Sequence, residues 1–114
     1  MSTQRETVDF ILEKLEAGSY DSGHTSGRFS TRAMFGEYAL YTDGKVVALI
    51  CDDQLFVKIV PASIALEDVC EKSEPYKGAK PYYLMEESQL SQIDGLASIL
   101  IDIAKGLPEK KVKN

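Results

Sequence analysis

The side chains that most often do chemistry are few in this sequence. Cys51 and Cys70 stand 19 positions apart, and His24 is the only histidine in 114 residues. A cysteine acts as a nucleophile when a neighbouring base draws off its proton, and His24 is the one imidazole on offer. It falls in GSYDSGHTSGR, residues 18–28, a polar glycine-rich run that reads as a loop in which a lone histidine faces solvent. With two cysteines, no CxxC and one histidine, a four-ligand zinc site of Cys and His cannot be assembled within one chain. Asp52 and Asp53 are adjacent, which suits a tight turn better than an acid–base pair. Glu86 and Glu87 read as charges at a helix start or a loop edge. The nucleophile-elbow, phosphate-loop, HExxH and dinucleotide-binding patterns do not occur. These residues predict a protein that is not an enzyme and holds neither metal nor cofactor.

A second chemistry is base stacking. RAMFGEYALY, residues 32–41, brings Phe35, Tyr38 and Tyr41 close in sequence, and YKGAKPYY, residues 76–83, mixes Lys77 and Lys80 with three tyrosines. Stacking on such rings is worth about 1–3 kcal/mol per base. Charge opposes it. The net charge is −5, and residues 1–104 carry 9 Lys and Arg against 17 Asp and Glu, whereas residues 105–114 carry four lysines against Glu109. Phosphate binding depends on Lys and Arg neutralising the backbone. FGEYALY also lacks the basic-glycine pair that opens the sheet-based RNA-binding signature, and Glu37 places a negative charge between its aromatics. Direct nucleic-acid binding is therefore disfavoured. Its remaining form is an alternative in which Tyr76–Tyr83 acts with the lysine tail.

The elements that must position these residues follow from periodicity. Val8, Ile11, Leu12 and Leu15 recur at helical spacing, Thr3 and Glu6 have the separation of a capping box, and Gly18 suits the position just past the helix end. Residues 29–60 read as a three-stranded meander, RAMFGEYALY being one strand bent near Gly36. TDGK, 42–45, and CDDQ, 51–54, form tight turns too short for a parallel crossover. Alternation places Val46, Ala48 and Ile50 opposite Val47 and Leu49. In the next strand Leu55, Val57 and Ile59 lie opposite Phe56, Lys58 and Val60. Neither face is polar, so something must cover part of both. Residues 62–72 suit a short helix with Ile64 and Val69 inward, and Leu66 and Cys70 as further inward candidates. A strand is expected at Tyr82–Met85, and a helix over 91–107 that Gly106 and Pro108 terminate. The class is α+β: two layers, an antiparallel sheet of five or four strands with helices, in the order α-β(3)-α-β(2)-α. Residues 1–107 read as one domain and 108–114 as a basic tail. Composition is ordinary for a soluble protein, at 44% hydrophobic and 27% charged. The opening residues lack a basic-then-apolar signal pattern and no apolar run reaches membrane-spanning length, so the expected location is the cytoplasm and no membrane contact is expected.

Several weak motifs then occur in a fixed order: Met34-Phe35-Gly36, Leu40-Tyr41, Asp43-Gly44, Leu55-Phe56-Val57-Lys58 and Pro81-Tyr82-Tyr83, followed by an apolar C-terminal helix. In this the chain, from about Phe29 to Leu107, resembles the TfoX/Sxy N-terminal-domain family. The resemblance implies a bacterial cytosolic protein without established catalytic residues. Full-length members are regulators of natural competence thought to act with the cyclic-AMP receptor protein, and relatives of the fold commonly form homodimers. The chain departs from the family at Glu37, where the pattern has a second glycine, and its 114 residues leave no room for the C-terminal domain of the full-length regulators.

Together these readings predict a non-enzymatic regulatory module working through protein–protein contacts, as a homodimer or with transcription machinery such as the cyclic-AMP receptor protein. Large apolar surface on a small domain marks a partner site, and Phe35, Tyr41, Phe56 and Val60 are the candidate face. Besides nucleic-acid association, a small ligand-binding protein or unrecognised enzyme is the other alternative, to be revived by a deep pocket lined by Cys51 and His24.

Overall fold

Residues 3–21, 29–34, 36–86, 89 and 95–107 are described by a computed structural model. Helix α1 spans Arg5–Asp21 and buries Val8, Ile11 and Leu15, one face of the helical period. It runs straight through Gly18, where the sequence predicts a stop. Four strands follow in close succession: β1 (Phe29–Met34), β2 (Glu37–Thr42), β3 (Lys45–Cys51) and β4 (Gln54–Val57). A 3-10 helix at Pro61–Leu66, strand β5 (Glu71–Ser73), strand β6 (Tyr82–Met85) and helix α2 (Leu96–Gly106) complete the order. The six strands form one antiparallel sheet in the order β1-β2-β3-β4-β6-β5. The α+β class and the antiparallel sheet match expectation, while the strand count is six rather than five or four.

Two differences account for the count. RAMFGEYALY is not one bent strand but a hairpin, with Met34 paired to Glu37 across a two-residue turn and Gly36 at φ 82°. Only the turn interrupts a run whose alternation continues on both sides, so periodicity alone does not mark the break. The second difference lies in 62–72. Pro61 starts a 3-10 helix rather than an α-helix. Its three-residue period buries Ser63 and Leu66 together, while Ile64 and Val69, expected inward, are 65% and 52% exposed. The Ser63 hydroxyl donates to the Lys58 carbonyl at 2.7 Å and accepts the Val60 amide at 3.0 Å, which fixes the turn. The chain then returns as β5 along β6.

A bulge sets the faces of the sheet. Leu40 pairs with Ala48 but Tyr41 pairs with Val46, so Val47 is an extra residue in β3. Val47 and Ala48 therefore both turn to the helix side, and Val46 turns to the other side with Leu49 and Cys51. This reverses the predicted positions of Val46 and Val47. On the helix side, Leu40, Ile50, Leu55, Val57, Tyr83 and Met85 pack against α1 and α2. Helix α2 buries Leu96, Ala97, Leu100, Ile101, Ile103 and Ala104, a stripe wider than one helical face. Its C-terminal carbonyls are satisfied by the Lys45 ammonium, 2.9 Å from the Ala104 oxygen and 3.1 Å from that of Leu107.

The N-terminus of α1 is held by both hairpin tips at one end of the sheet. The Thr3 amide donates to the Gly36 carbonyl at 3.0 Å, and the Thr3 hydroxyl bonds to the Glu37 carboxylate and receives the Asp53 amide at 3.3 Å. Asp53 in turn takes the Gln4 amide and the Thr7 hydroxyl on its carboxylate. The predicted box between Thr3 and Glu6 is thus replaced by a cap from a distant turn. Glu37, where the family pattern has glycine, also receives the Asp52 amide at 3.1 Å. Among residues with positive φ in the described chain, Glu37 does not figure, so glycine's freedom is not required there.

Candidate interaction face

The face turned away from α1 and α2 carries its own apolar cluster. Ala39, Leu49, Cys51 and Phe56 are buried at its centre, with half-buried Tyr41, Val46, Tyr82 and Leu84 around them. Every member is a strand residue, so strand alternation alone collects them. Cross-strand pairing explains the order: Ala39 faces Leu49, Leu49 faces Phe56, and Phe56 faces Leu84. The guanidinium of Arg32 lies 5.5 Å from the centre of the Tyr41 ring, a cation–π contact at the β1 edge. On the opposite flank, Tyr76 is 58% exposed.

Of the four residues predicted for this face, the structure brings Tyr41 and Phe56 together. Val60 packs instead against the helix-side core, because β4 ends at Val57 and the chain turns before Val60 is reached. Phe35 and His24 lie outside the described residues. Tyr82 and Leu84 belong to the face and were not among the predicted residues. The signal was present in YYLM, where they alternate with the buried Tyr83 and Met85. That same alternation separates the tyrosines of Tyr76–Tyr83: Tyr83 is fully buried on the helix side and Tyr82 is on the opposite face. They do not make one stacking surface.

Burial pushes the Cys51 thiol up to about 11, with the charges of Glu37 and Asp52 adding to the effect. A thiol so placed is protonated at neutral pH and is a poor nucleophile. Cys70 is raised by burial as well, and both cysteines are free. The Tyr82 phenol is raised by burial first and then by Tyr76 and Cys51. On the helix side, the Tyr83 hydroxyl donates to Glu67 at 2.8 Å and Lys72 bridges to Glu67 at 3.0 Å. No group of three or more His, Cys, Asp or Glu that could hold a metal ion occurs among the described residues. No helix among them is long and apolar enough to cross a membrane.

Two open grooves flank β6. One, of about 180 Å³, is lined by Val69, Glu71, Leu84, Glu86 and Gln89 and is acidic. The other, of about 320 Å³, is lined by Lys58, Ile59, Val60, Lys80, Pro81, Tyr82 and Leu107 and is basic. Three of the motif residues, Lys58, Pro81 and Tyr82, thus meet in one place. Of the other described motif residues, Tyr41 lies on the sheet face, Met34 precedes and Gly36 lies in the first hairpin turn, Asp43 and Gly44 form the second at φ 54° and 80°, and Tyr83 fills the core.

Comparison with known proteins adds two findings. The family model described as the TfoX N-terminal domain matches residues 23–102. A protein of Spirochaeta aurantia, described as "Uncharacterized 12.7 kDa protein in trpE 5'region", is 43% identical over 54 residues. That alignment covers 47% of this chain and 47% of the relative, so about half of each is compared.

Proposed function

The chain belongs to the TfoX N-terminal domain family, and from that membership we propose a non-enzymatic regulatory module that works through protein–protein contacts. The sheet face carries the contacts. Its apolar cluster is built from strands alone, and its rim residues Tyr41, Val46, Tyr82 and Leu84 are only half-buried. That single observation carries the reading: the centre of the cluster is already buried, and the half-exposed apolar rim is the surface left to give to a partner. The family associates the domain with control of competence genes. The proposed contacts are therefore a second copy of the chain, forming a homodimer, and a transcription protein such as the cyclic-AMP receptor protein.

Sedimentation velocity at micromolar concentration and calorimetric titration with purified cyclic-AMP receptor protein test this directly. The wild-type chain should sediment as a dimer or bind the receptor protein. The double variant Tyr41→Glu, Leu84→Glu should keep its far-ultraviolet circular dichroism and lose the interaction. A wild-type chain that is monomeric and binds nothing in the titration would sink the proposal.

A further inference from the structure

The basic groove beside β6 is formed where three segments leave or enter regular structure: Lys58–Val60 after β4, Lys80–Tyr82 at the start of β6, and Leu107 after α2. The frame around it is fixed. Val57 pairs with Tyr83, which sets Lys58 and Tyr82 next to each other along the β4–β6 ladder. The Lys58 amide donates to the Val47 carbonyl at 3.1 Å, so the β3 bulge holds its backbone. Lys58 is half-buried, and its burial lowers the ammonium's proton affinity. No carboxylate among the described residues pairs with Lys58 or with Lys80. A partly desolvated cation without a counter-charge is costly, and an anion placed beside it offsets that cost.

We propose that this groove binds a small amphipathic carboxylate, its head group at Lys58 and Lys80 and its aliphatic or aromatic body on Ile59, Val60, Pro81 and Leu107. Three features select this occupant. The groove, at about 320 Å³, is at the lower end of small-ligand sites, which run from roughly 300 to 1,000 Å³. Its lining is apolar apart from two cations and a phenol, which suits a single anionic head on an apolar body. A polyanion such as nucleic acid is opposed by the net charge of −5. The inference stands apart from the regulatory reading, although Tyr82 belongs both to the groove and to the rim of the sheet face.

An NMR titration of the full chain with sodium benzoate and sodium hexanoate tests it. Both should shift the resonances of Ile59, Val60, Tyr82 and Leu107 saturably, and acetate, inorganic phosphate and benzyl alcohol should do so much more weakly. Lys58→Gln should weaken benzoate binding by roughly three- to tenfold and the more exposed Lys80→Gln by less, with an amide spectrum otherwise unchanged. Benzyl alcohol binding as well as benzoate would reduce the site to a plain apolar cleft and overturn the proposal. Phosphate or acetate binding as well as benzoate would overturn it in favour of a bare anion site. Displacement of benzoate by oligothymidylate would overturn it in favour of nucleic acid, and an unchanged affinity in Lys58→Gln would remove the role of the cation.

Discussion

The carboxylate of Asp53 accepts the backbone amide of Gln4 at 2.8 Å, across 49 residues of sequence. It accepts the Thr7 hydroxyl as well, at 3.0 Å. The first turn of α1 is therefore capped by the tip of the β3–β4 hairpin. Asp53 does this from the left-handed region, at φ 61°, next to Asp52 at φ 51°. Aspartate is one of the few residues that tolerates such a backbone while offering an acceptor.

Asp53→Ala removes the cap and leaves alanine, which lacks the polar side chain that eases this conformation, in the left-handed region. The expected loss is about 1–2 kcal/mol for the cap alone, read as a lower urea midpoint with unchanged slope. Asp53→Asn keeps the acceptor and the backbone tolerance and should lose much less. Equal losses in the two variants would show that the Gln4 and Thr7 bonds do not carry the effect.

Lys45→Met tests the other helix end. The Lys45 ammonium bonds the carbonyl of Ala104, in the last turn of α2, and that of Leu107, just past its end. A cation there satisfies orphan carbonyls and complements the helix dipole. Its removal should cost about 1–2 kcal/mol and should speed hydrogen exchange in α2 before any other element. Uniformly faster exchange across sheet and helices would argue against a local cap.

The pair of Glu67 and Tyr83 sets a limit on acid stability. The Lys72 hydrogen bond, and after it that of Tyr83, holds the Glu67 carboxyl below its ordinary value of 4.5. A group with a lowered folded-state pKa contributes stability above its unfolded value, and that contribution fades as pH falls through the lowered one. Thermal scans should therefore show a fall in melting temperature below about pH 4.5 that is shallower in Glu67→Gln. An identical acid slope in that variant would discount the pairing.

Cys51 governs the alkaline side. Its thiol is raised from 9.0 to about 11, so the folded chain keeps a proton that the unfolded chain releases. Its contribution is fully present below pH 9.0 and is lost as pH rises towards 11. Cys51→Ala should flatten the stability decline between those values. Iodoacetamide at pH 8 should modify Cys51 only at the rate of unfolding, and rapid labelling in the native state would contradict its burial.

What the sequence disclosed was whatever depends on neighbours in sequence. Asp43-Gly44 and Asp52-Asp53 were readable as tight turns, because a positive φ at both central positions is a local demand that aspartate and glycine meet. Tyr82–Met85 was readable from its alternation. Gly36 reads as a bend, but a two-residue turn and a bent strand leave the same alternation around it. The exchange of Val46 and Val47 was hidden because a bulge is a property of two strands, and β3 alone does not reveal where β2 skips a residue. The basic groove was out of reach for the same reason: Lys58, Lys80 and Leu107 are brought together only by the β4–β6 pairing and the end of α2.

The borrowed cap on α1 has a consequence for the order of events during synthesis. A helix within a protein draws most of its stability from tertiary packing rather than from propensity, and the acceptor that closes the first turn of α1 belongs to residue 53. Residues 3–21 precede the β3–β4 hairpin in the chain, yet the first turn of α1 has to wait for that hairpin before it is sealed. The cap of α1 is thereby completed only after residues 45–57 have paired.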